Sequence, residues 1–479
     1  MFETRLYING EWIETDHKFD VVDPATQQIV AKVSSAGDAQ VDQAVAAAST
    51  AFDSWSVLPA RKRASYLQQI GEQLLKNKKA IAEILSAEEG KPLAEAIGEV
   101  IYSADFFTWY AEESKRLYGE LIPPSRPGHE LRVERVPVGV VAAITPWNFP
   151  IGMLARKLAP ALAAGCPVVL KPASQTPLTA IAFMQMIHEI GLPPGVVNLV
   201  AGSGSLIGTQ LLKDKRVRKA TFTGSTQVGA DIMRQASHHI AKVSLELGGH
   251  APFIVLDDAD LEFAVKQLLL IKTRNAGQTC ISPNRVFVHK AIYDTFIERL
   301  IDKVGRLKVG PYHMENVNVG PLIDRKAMDH MQNQVNDAVS RGAKVLIGGE
   351  AYKDAELSAG NFYPPTVIVD VTPDMDIFRE ETFGPLIPVT PFESDEEVIG
   401  LSNDSDYGLA AYVFSGNYQR ALRITGALEY GTVAVNDISA SDFAQAPTGG
   451  FKESGIGREG GREGIYEFLE TKFTLVNHR

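Results

Sequence analysis

Cys280 closes the string Asn275-Ala276-Gly277-Gln278-Thr279-Cys280, a polar turn that contains glycine. A free cysteine is most often a small core filler, and Cys166, in Ala164-Gly165-Cys166-Pro167, has that setting. The polar context of Cys280 predicts an exposed, reactive thiol instead. Glu246 lies between two leucines in Leu245-Glu246-Leu247-Gly248-Gly249. Burial there would raise its pKa and make it a general base near neutral pH, against the ordinary reading of a solvated or paired glutamate. Asn148, in Thr145-Pro146-Trp147-Asn148-Phe149-Pro150, follows an apolar run. Its amide can donate to an oxyanion, or it is simply a turn asparagine between prolines. A sulfur nucleophile, a base and an oxyanion donor are together the parts of acyl-transfer chemistry.

Two arginines lie close in sequence to these groups. Arg156 comes eight residues after Asn148, and Arg274 six before Cys280. Arginines are ordinarily surface residues, yet two guanidiniums are able to clamp a carboxylate.

No G-x-G-x-x-G dinucleotide fingerprint is present. Gly202-Ser203-Gly204-Ser205-Leu206-Ile207-Gly208 follows a strand-like run but carries one residue too many. Phe222-Thr223-Gly224-Ser225-Thr226-Gln227-Val228-Gly229 opens a helix-like segment. Its glycines let backbone N–H groups approach a pyrophosphate, although an N-cap by Ser225 or Thr226 explains the string equally well.

The elements that must position these groups alternate. The apolar runs 138–144, 167–170, 196–200 and 220–222 are each followed by a helix-like segment, at 154–164, 177–190, 206–214 and 227–236. Strand–helix alternation predicts a parallel sheet covered on both faces. The pattern restarts near Ala251 and continues to about Asn436, which predicts a second α/β domain. Upstream, Leu6 to Trp12 around Asn9-Gly10 reads as a hairpin, Val21 to Val33 as another, and Asp38 to Lys115 as helical. The chain has 479 residues, 45% hydrophobic and 22% charged, as in a multi-domain globular protein. A net charge of −11 argues against a nucleic-acid partner, and two cysteines fit a reducing compartment. No signal peptide or membrane span is legible, so a cytoplasmic protein is expected.

Taken together, Thr145 to Pro150, Leu170-Lys171-Pro172-Ala173, Phe222 to Gly229, Leu245 to Gly249, Gly277 to Cys280, Glu380 to Pro385 and Gly449 to Gly455 occur in the order typical of aldehyde dehydrogenases. The chain resembles that superfamily over essentially its whole length. The resemblance implies an α/β fold of two Rossmann-type open-sheet domains with a small β oligomerisation element. Residues 1–116 and 138–250 would form the cofactor domain and 251–436 the catalytic domain. Residues 117–137 and 464–479 would form the oligomerisation element, and 437–463 a return segment.

The resemblance also implies roles. Cys280 attacks the aldehyde, Asn148 and the Cys280 N–H hold the oxyanion, and Glu246 activates water against the thioester. NADP or NAD is the cofactor, contacted by Thr145, Pro146, Trp147, Lys171, Ser174, Gly204, Gly224, Ser225, Glu381 and Phe383. A neutral Ser174, where NAD-preferring relatives often carry a carboxylate, predicts that NADP is accepted. Arg156 and Arg274, with Ser441 as a third contact, resemble the carboxylate-binding set of succinate-semialdehyde dehydrogenases. Lactaldehyde, glycolaldehyde, longer semialdehydes and sulfonated aldehydes stay open as substrates. So do CoA acylation and an inactive structural protein on the same fold. Ser282 stands where some succinate-semialdehyde dehydrogenases carry a second, redox-switching cysteine, so that switch is expected to be absent. No metal is expected, and a homodimer or homotetramer is.

Overall fold

Val140–Ile144 reads Val-Val-Ala-Ala-Ile and is buried along its whole length. A continuous apolar run of this kind suits a parallel strand covered on both faces. The computed structural model, which describes residues 2–353, 357–439 and 441–478, places that strand at the centre of an eight-stranded sheet. On one side lie Val168–Lys171 and then Val197–Leu199; on the other lie Val217–Thr223 and then Lys242–Glu246, all parallel. In chain order this is 3-2-1-4-5, so the winding direction reverses beside the first strand. Ligands of open α/β sheets bind at the carboxyl ends of the strands at such a reversal. The edges are closed by the hairpin Leu6–Ile8/Glu11–Ile13 and by the short antiparallel strand Gly455–Ile456. The hairpin turns at Asn9 and Gly10, both at positive φ as a tight two-residue turn requires.

The chain leaves this sheet at Glu246 and enters the second at Ala251. The second sheet has seven strands, with Ala251–Val255, Pro283–His289 and Ala410–Phe414 adjacent and parallel near its middle. A third, antiparallel sheet joins Glu120–Ile122, His129–Pro137 and Leu469–Asn477.

Three long helices lie in the chain between the hairpin Leu6–Ile8/Glu11–Ile13 and the strand Val140–Ile144. The Ala60–Glu89 helix stops at Gly90, which takes the left-handed conformation at φ +97°. Leu93–Glu113 follows after a break at Pro92 and packs against both its predecessor and the helix Pro150–Ala164. Among the described residues no helix is long and apolar enough to cross a membrane.

Candidate active site

The helix Leu261–Thr273 runs into a turn, Arg274–Gly277, in which Asn275 and Ala276 adopt φ of 51° and 54°. Left-handed backbone at two adjacent non-glycine residues is strained and persists only where the surroundings enforce it. Here they do. The Asn275 N–H donates to Glu95 at 2.7 Å, and the Gln278 side chain bonds Asn275 O, Pro321 O and the Ile323 N–H. At Gly277, φ +77°, an added Cβ would lie 2.3 Å from Gly384 O. Across the turn, a Cβ on Gly249 would lie 2.1 Å from Cys280 O. Only bare backbone at these two positions lets the turn seat itself.

Cys280 emerges from the turn into a cavity of about 250 Å³. The cavity lies beyond the carboxyl ends of Val140–Ile144 and Val217–Thr223, lined by Trp147, Asn148, Gly224 and Ser225 from the segments that follow them. The exposed thiol expected from the polar string is therefore corrected: Cys280 is half-buried at the cavity wall. Burial, reinforced by Glu246 and Glu381, pushes its pKa well above the ordinary thiol value. The resting side chain is a thiol that has to lose its proton on demand. Cys166 is fully buried and donates to Phe468 O, as a core filler does.

Glu246 ends its strand facing Cys280's cavity and is 7% exposed. Its Oε2 and the Oε2 of Glu459 are both buried without a donor. One proton between them satisfies both atoms. Burial first, and then the negative charge of Glu459, raises Glu246 above the usual carboxylate range. Glu459 is held below it against the effect of burial, by Lys157, by the hydrogen bond from Glu246 and by Arg156. The proton therefore rests on Glu246. Lys157 in turn bonds Thr223 Oγ1 at 2.6 Å.

Asn148 is buried, and its Nδ2 donates to Gln278 O at 2.9 Å. An amide nitrogen carries two hydrogens, so one donor remains for the cavity. Its own carbonyl accepts from Lys91 Nζ at 2.7 Å and Asn275 Nδ2 at 2.9 Å. Lys91 pairs with Glu99 at 2.7 Å, and Glu99 also accepts the Ile151 and Gly152 N–H groups at 3.1 Å each. A carboxylate on the first N–H groups of the Pro150–Ala164 helix matches the positive end of its dipole.

Both predicted arginines reach the cavity, but not equivalently. Arg156 is buried and donates to the Tyr102 hydroxyl, to Thr448 Oγ1 at 2.8 Å and to Ser441 O at 2.5 Å. Arg274 lies over the Phe149 ring and pairs with Asp442 at 3.0 Å. Ser441 lines the same cavity, and its backbone carbonyl is what Arg156 bonds.

The cofactor set splits in two. Pro146, Trp147, Gly224, Ser225, Glu381 and Phe383 share the cavity with Cys280. Trp147 and Phe383 meet edge to face at 5.6 Å. Glu381 Oε1 accepts the Gly249 N–H at 3.0 Å, and burial pushes the carboxyl up to about 7. Thr145, Lys171, Ser174 and Gly204 lie outside the cavity lining. Thr145 is buried just past Val140–Ile144, and its N–H donates to Lys171 O at 3.1 Å. Lys171 is buried, and no carboxylate pairs with it among the described residues. Desolvation lowers its pKa to about 8. Its Nζ would lie 3.4 Å from a Cβ on Gly204, at the N-terminus of the Gly204–Lys213 helix. A buried ammonium lacking an anion, beside a side-chain-free helix start, fits a ligand carrying ribose and phosphate oxygens. Ser174 is half-buried and donates its hydroxyl proton to Gly202 O at 2.7 Å. Its hydroxyl hydrogen is engaged there, and the side chain carries no charge. No group of three or more His, Cys, Asp or Glu side chains able to hold a metal occurs among the described residues.

Sequence reading missed Lys91, Glu95, Glu99, Lys157, Glu459 and Asp442. A signal existed for Lys157: the helix around it is buried on every face, so a charge there needs a partner.

Residues 12–474 match the Aldehyde dehydrogenase family. Glutarate-semialdehyde dehydrogenase of Pseudomonas putida is 46% identical over 479 residues, covering 100% of this chain and 98% of that one. The NADP(+) succinate-semialdehyde dehydrogenase of Escherichia coli is 44% identical over 478 residues, covering 99% of this chain and 98% of the other. The crystal structure of succinate-semialdehyde dehydrogenase from Burkholderia pseudomallei superposes with a TM-score of 0.97 at 44% identity, covering 99% of this chain and 98% of that one. With the sheet order, the reversal-point cavity and the placement of Cys280 and Glu246 beside it, this likeness leaves one assignment: the chain belongs to the aldehyde dehydrogenase family.

Proposed function

We propose that the protein oxidises a semialdehyde with a distal carboxylate, such as succinate or glutarate semialdehyde, to the dicarboxylate. NADP or NAD is the oxidant. The observation that carries this reading is that Cys280, Glu246, Asn148 and Arg274 line one cavity. The names of the relatives from Pseudomonas putida and Escherichia coli support the substrate class and the use of NADP.

The Cys280 thiol gives its proton to solvent as Sγ adds to the aldehyde carbon, and the oxygen that becomes negative is met by the Asn148 amide and the Cys280 N–H. Preorganised donors at a developing oxyanion are worth about 2.7–4 kcal/mol each in a dry site. Lys171, Glu381, Ser225 and the turn at Gly224 would hold the dinucleotide, which when bound would supply the hydride acceptor needed for the addition product to become a thioester. Glu246, once ionised, removes a proton from water as that water attacks the thioester carbonyl, and returns it to the Cys280 sulfur, which leaves as the thiol. Arg274 holds the distal carboxylate while Arg156, spread over three oxygens, braces the wall.

A base poised against water favours hydrolysis over transfer to CoA. Glu246→Gln should leave the first, acylating turnover intact and stall the second, so rapid-quench kinetics would show a burst of reduced cofactor with little steady state. Intact-mass spectrometry would find the acyl group on Cys280. A Glu246→Gln enzyme that turns over normally defeats the reading.

The sheet of Glu120–Ile122, His129–Pro137 and Leu469–Asn477 exposes Leu121, Phe473 and Leu475. Exposed apolar strands of this kind support a homodimer or homotetramer built through 117–137 and 464–479. The two open sheets support a cofactor domain from 1–116 with 138–250 and a catalytic domain over 251–436, with 437–463 returning to the first. Two unpaired cysteines fit the cytoplasm.

A further inference from the structure

The semialdehyde reading leaves one group in the cavity wall unexplained. A carboxylate, Asp442, stands where an anionic tail has to bind. Its Oδ1 accepts from Arg274 NH1 at 3.0 Å, with Oδ2 at 3.4 Å. The two side chains are 31% and 37% exposed, so the pair is solvent-screened and weak enough to open during turnover. Arg274 does not depend on Asp442 for its place. Its guanidinium lies 5.3 Å from the centre of the Phe149 ring, and it leaves the helix end held by the Leu270 carbonyl. Arg156 is the less available donor to a tail, because Tyr102, Thr448 and the Ser441 carbonyl take one N–H from each of its nitrogens and its side chain is 3% exposed against 31% for Arg274. The more open cation is therefore the one that Asp442 occupies.

Resting on the reading of this cavity as a semialdehyde site, we propose that Asp442 is a specificity-determining residue. It competes with the substrate's distal carboxylate for Arg274. A guanidinium has five N–H donors and can hold two carboxylates, but the two then face each other as like charges. A lone distal carboxylate has to displace Asp442 or bear that repulsion. A distal group with an ammonium beside its carboxylate does neither, since the carboxylate takes the free edge of Arg274 while the ammonium meets Asp442. The aspartate thus tilts the cavity away from simple dicarboxylate semialdehydes and toward amino-acid semialdehydes of the same length. If Asp442 served only to hold Arg274 in place, its loss would weaken every carboxylated substrate alike.

The matched substrates 4-oxobutanoate and 2-amino-4-oxobutanoate differ by that one ammonium. Each kcat/KM is measured at saturating cofactor on the full-length enzyme and taken relative to butanal with the same variant. Asp442→Asn is near-isosteric and lies at the cavity rim, so folding is checked by thermal unfolding alone. The expected result is an Asp442→Asn enzyme whose KM for 4-oxobutanoate falls about three- to tenfold while that for the amino compound rises. The ratio of the two substrates then shifts by about tenfold or more toward 4-oxobutanoate. An unchanged ratio, or a parallel loss on both, overturns the proposal. Arg274→Gln separates the two levels. If it alters butanal and the carboxylated aldehydes equally, the distal-carboxylate reading itself fails. If it is selective while Asp442→Asn leaves the ratio unmoved, only the role of Asp442 falls.

Discussion

Glu459 faces Glu246 from a segment more than two hundred residues downstream, and one buried oxygen of each lacks a donor, which a single shared proton supplies. The arrangement keeps the proposed base protonated at rest. It also gives the proton a neighbour, Glu459, that is itself tied to Lys157, which in turn donates to Thr223.

A first prediction concerns pH. Glu246 works as a base only when ionised, and burial with the Glu459 charge raises its pKa, so the rate rises as pH increases through that value. Glu459→Gln removes the like charge and leaves the Lys157 ammonium, which favours ionised Glu246. The acidic limb of the kcat profile should move to lower pH. Because Lys157 loses a buried partner, stability should fall by ~3–5 kcal/mol, read as a lower Tm. A limb that stays put would show that Glu246 and Glu459 titrate independently.

Cofactor choice gives a second. Ser174 brings no charge to the region of Lys171 and Gly202. Ser174→Glu should lower kcat/KM for NADP by about tenfold or more against NAD, through repulsion of a 2′-phosphate. Equal loss with both cofactors would mean the side chain lies away from the adenosine ribose.

A third tests the nucleophile turn. Gly277 combines φ +77° with a Cβ path blocked by Gly384 O at 2.3 Å. Gly277→Ala should destabilise the protein by roughly 1–3 kcal/mol and reduce kcat more than KM, because the turn that carries Cys280 must shift. Alkylation of Cys280 by iodoacetamide, followed by mass spectrometry, would report the displaced thiol as a changed rate. Wild-type kcat and alkylation rate together would contradict it.

How legible this was in the sequence depends on what each residue type signals. Val140–Ile144 and Ala251–Val255 announce buried parallel strands because every residue is apolar, and the structure has them at the middle of two sheets. Glu246 was legible because leucines flank it. Glu459 was not, since Gly457-Arg458-Glu459-Gly460-Gly461 reads as a solvated loop and only the fold returns it to Glu246. Lys91, in the break between two helices, and Glu99, on the second of them, look like ordinary surface charges, and their burial comes from three helices meeting. Cys280 misled in one respect. A polar string predicts exposure, yet its polar groups satisfy one another and the neighbouring backbone, so the turn can be buried.

Glu95 and Glu99 stand one turn apart on the same helix, one gripping the thiol's turn and the other the start of the Pro150–Ala164 helix just after Asn148. The spacing between sulfur and amide is therefore gauged by a helical pitch between two residues that do not line the cavity. Inserting one residue between these two glutamates would swing one grip by about 100° and leave the other, unhitching the two catalytic groups while both sheets stay whole.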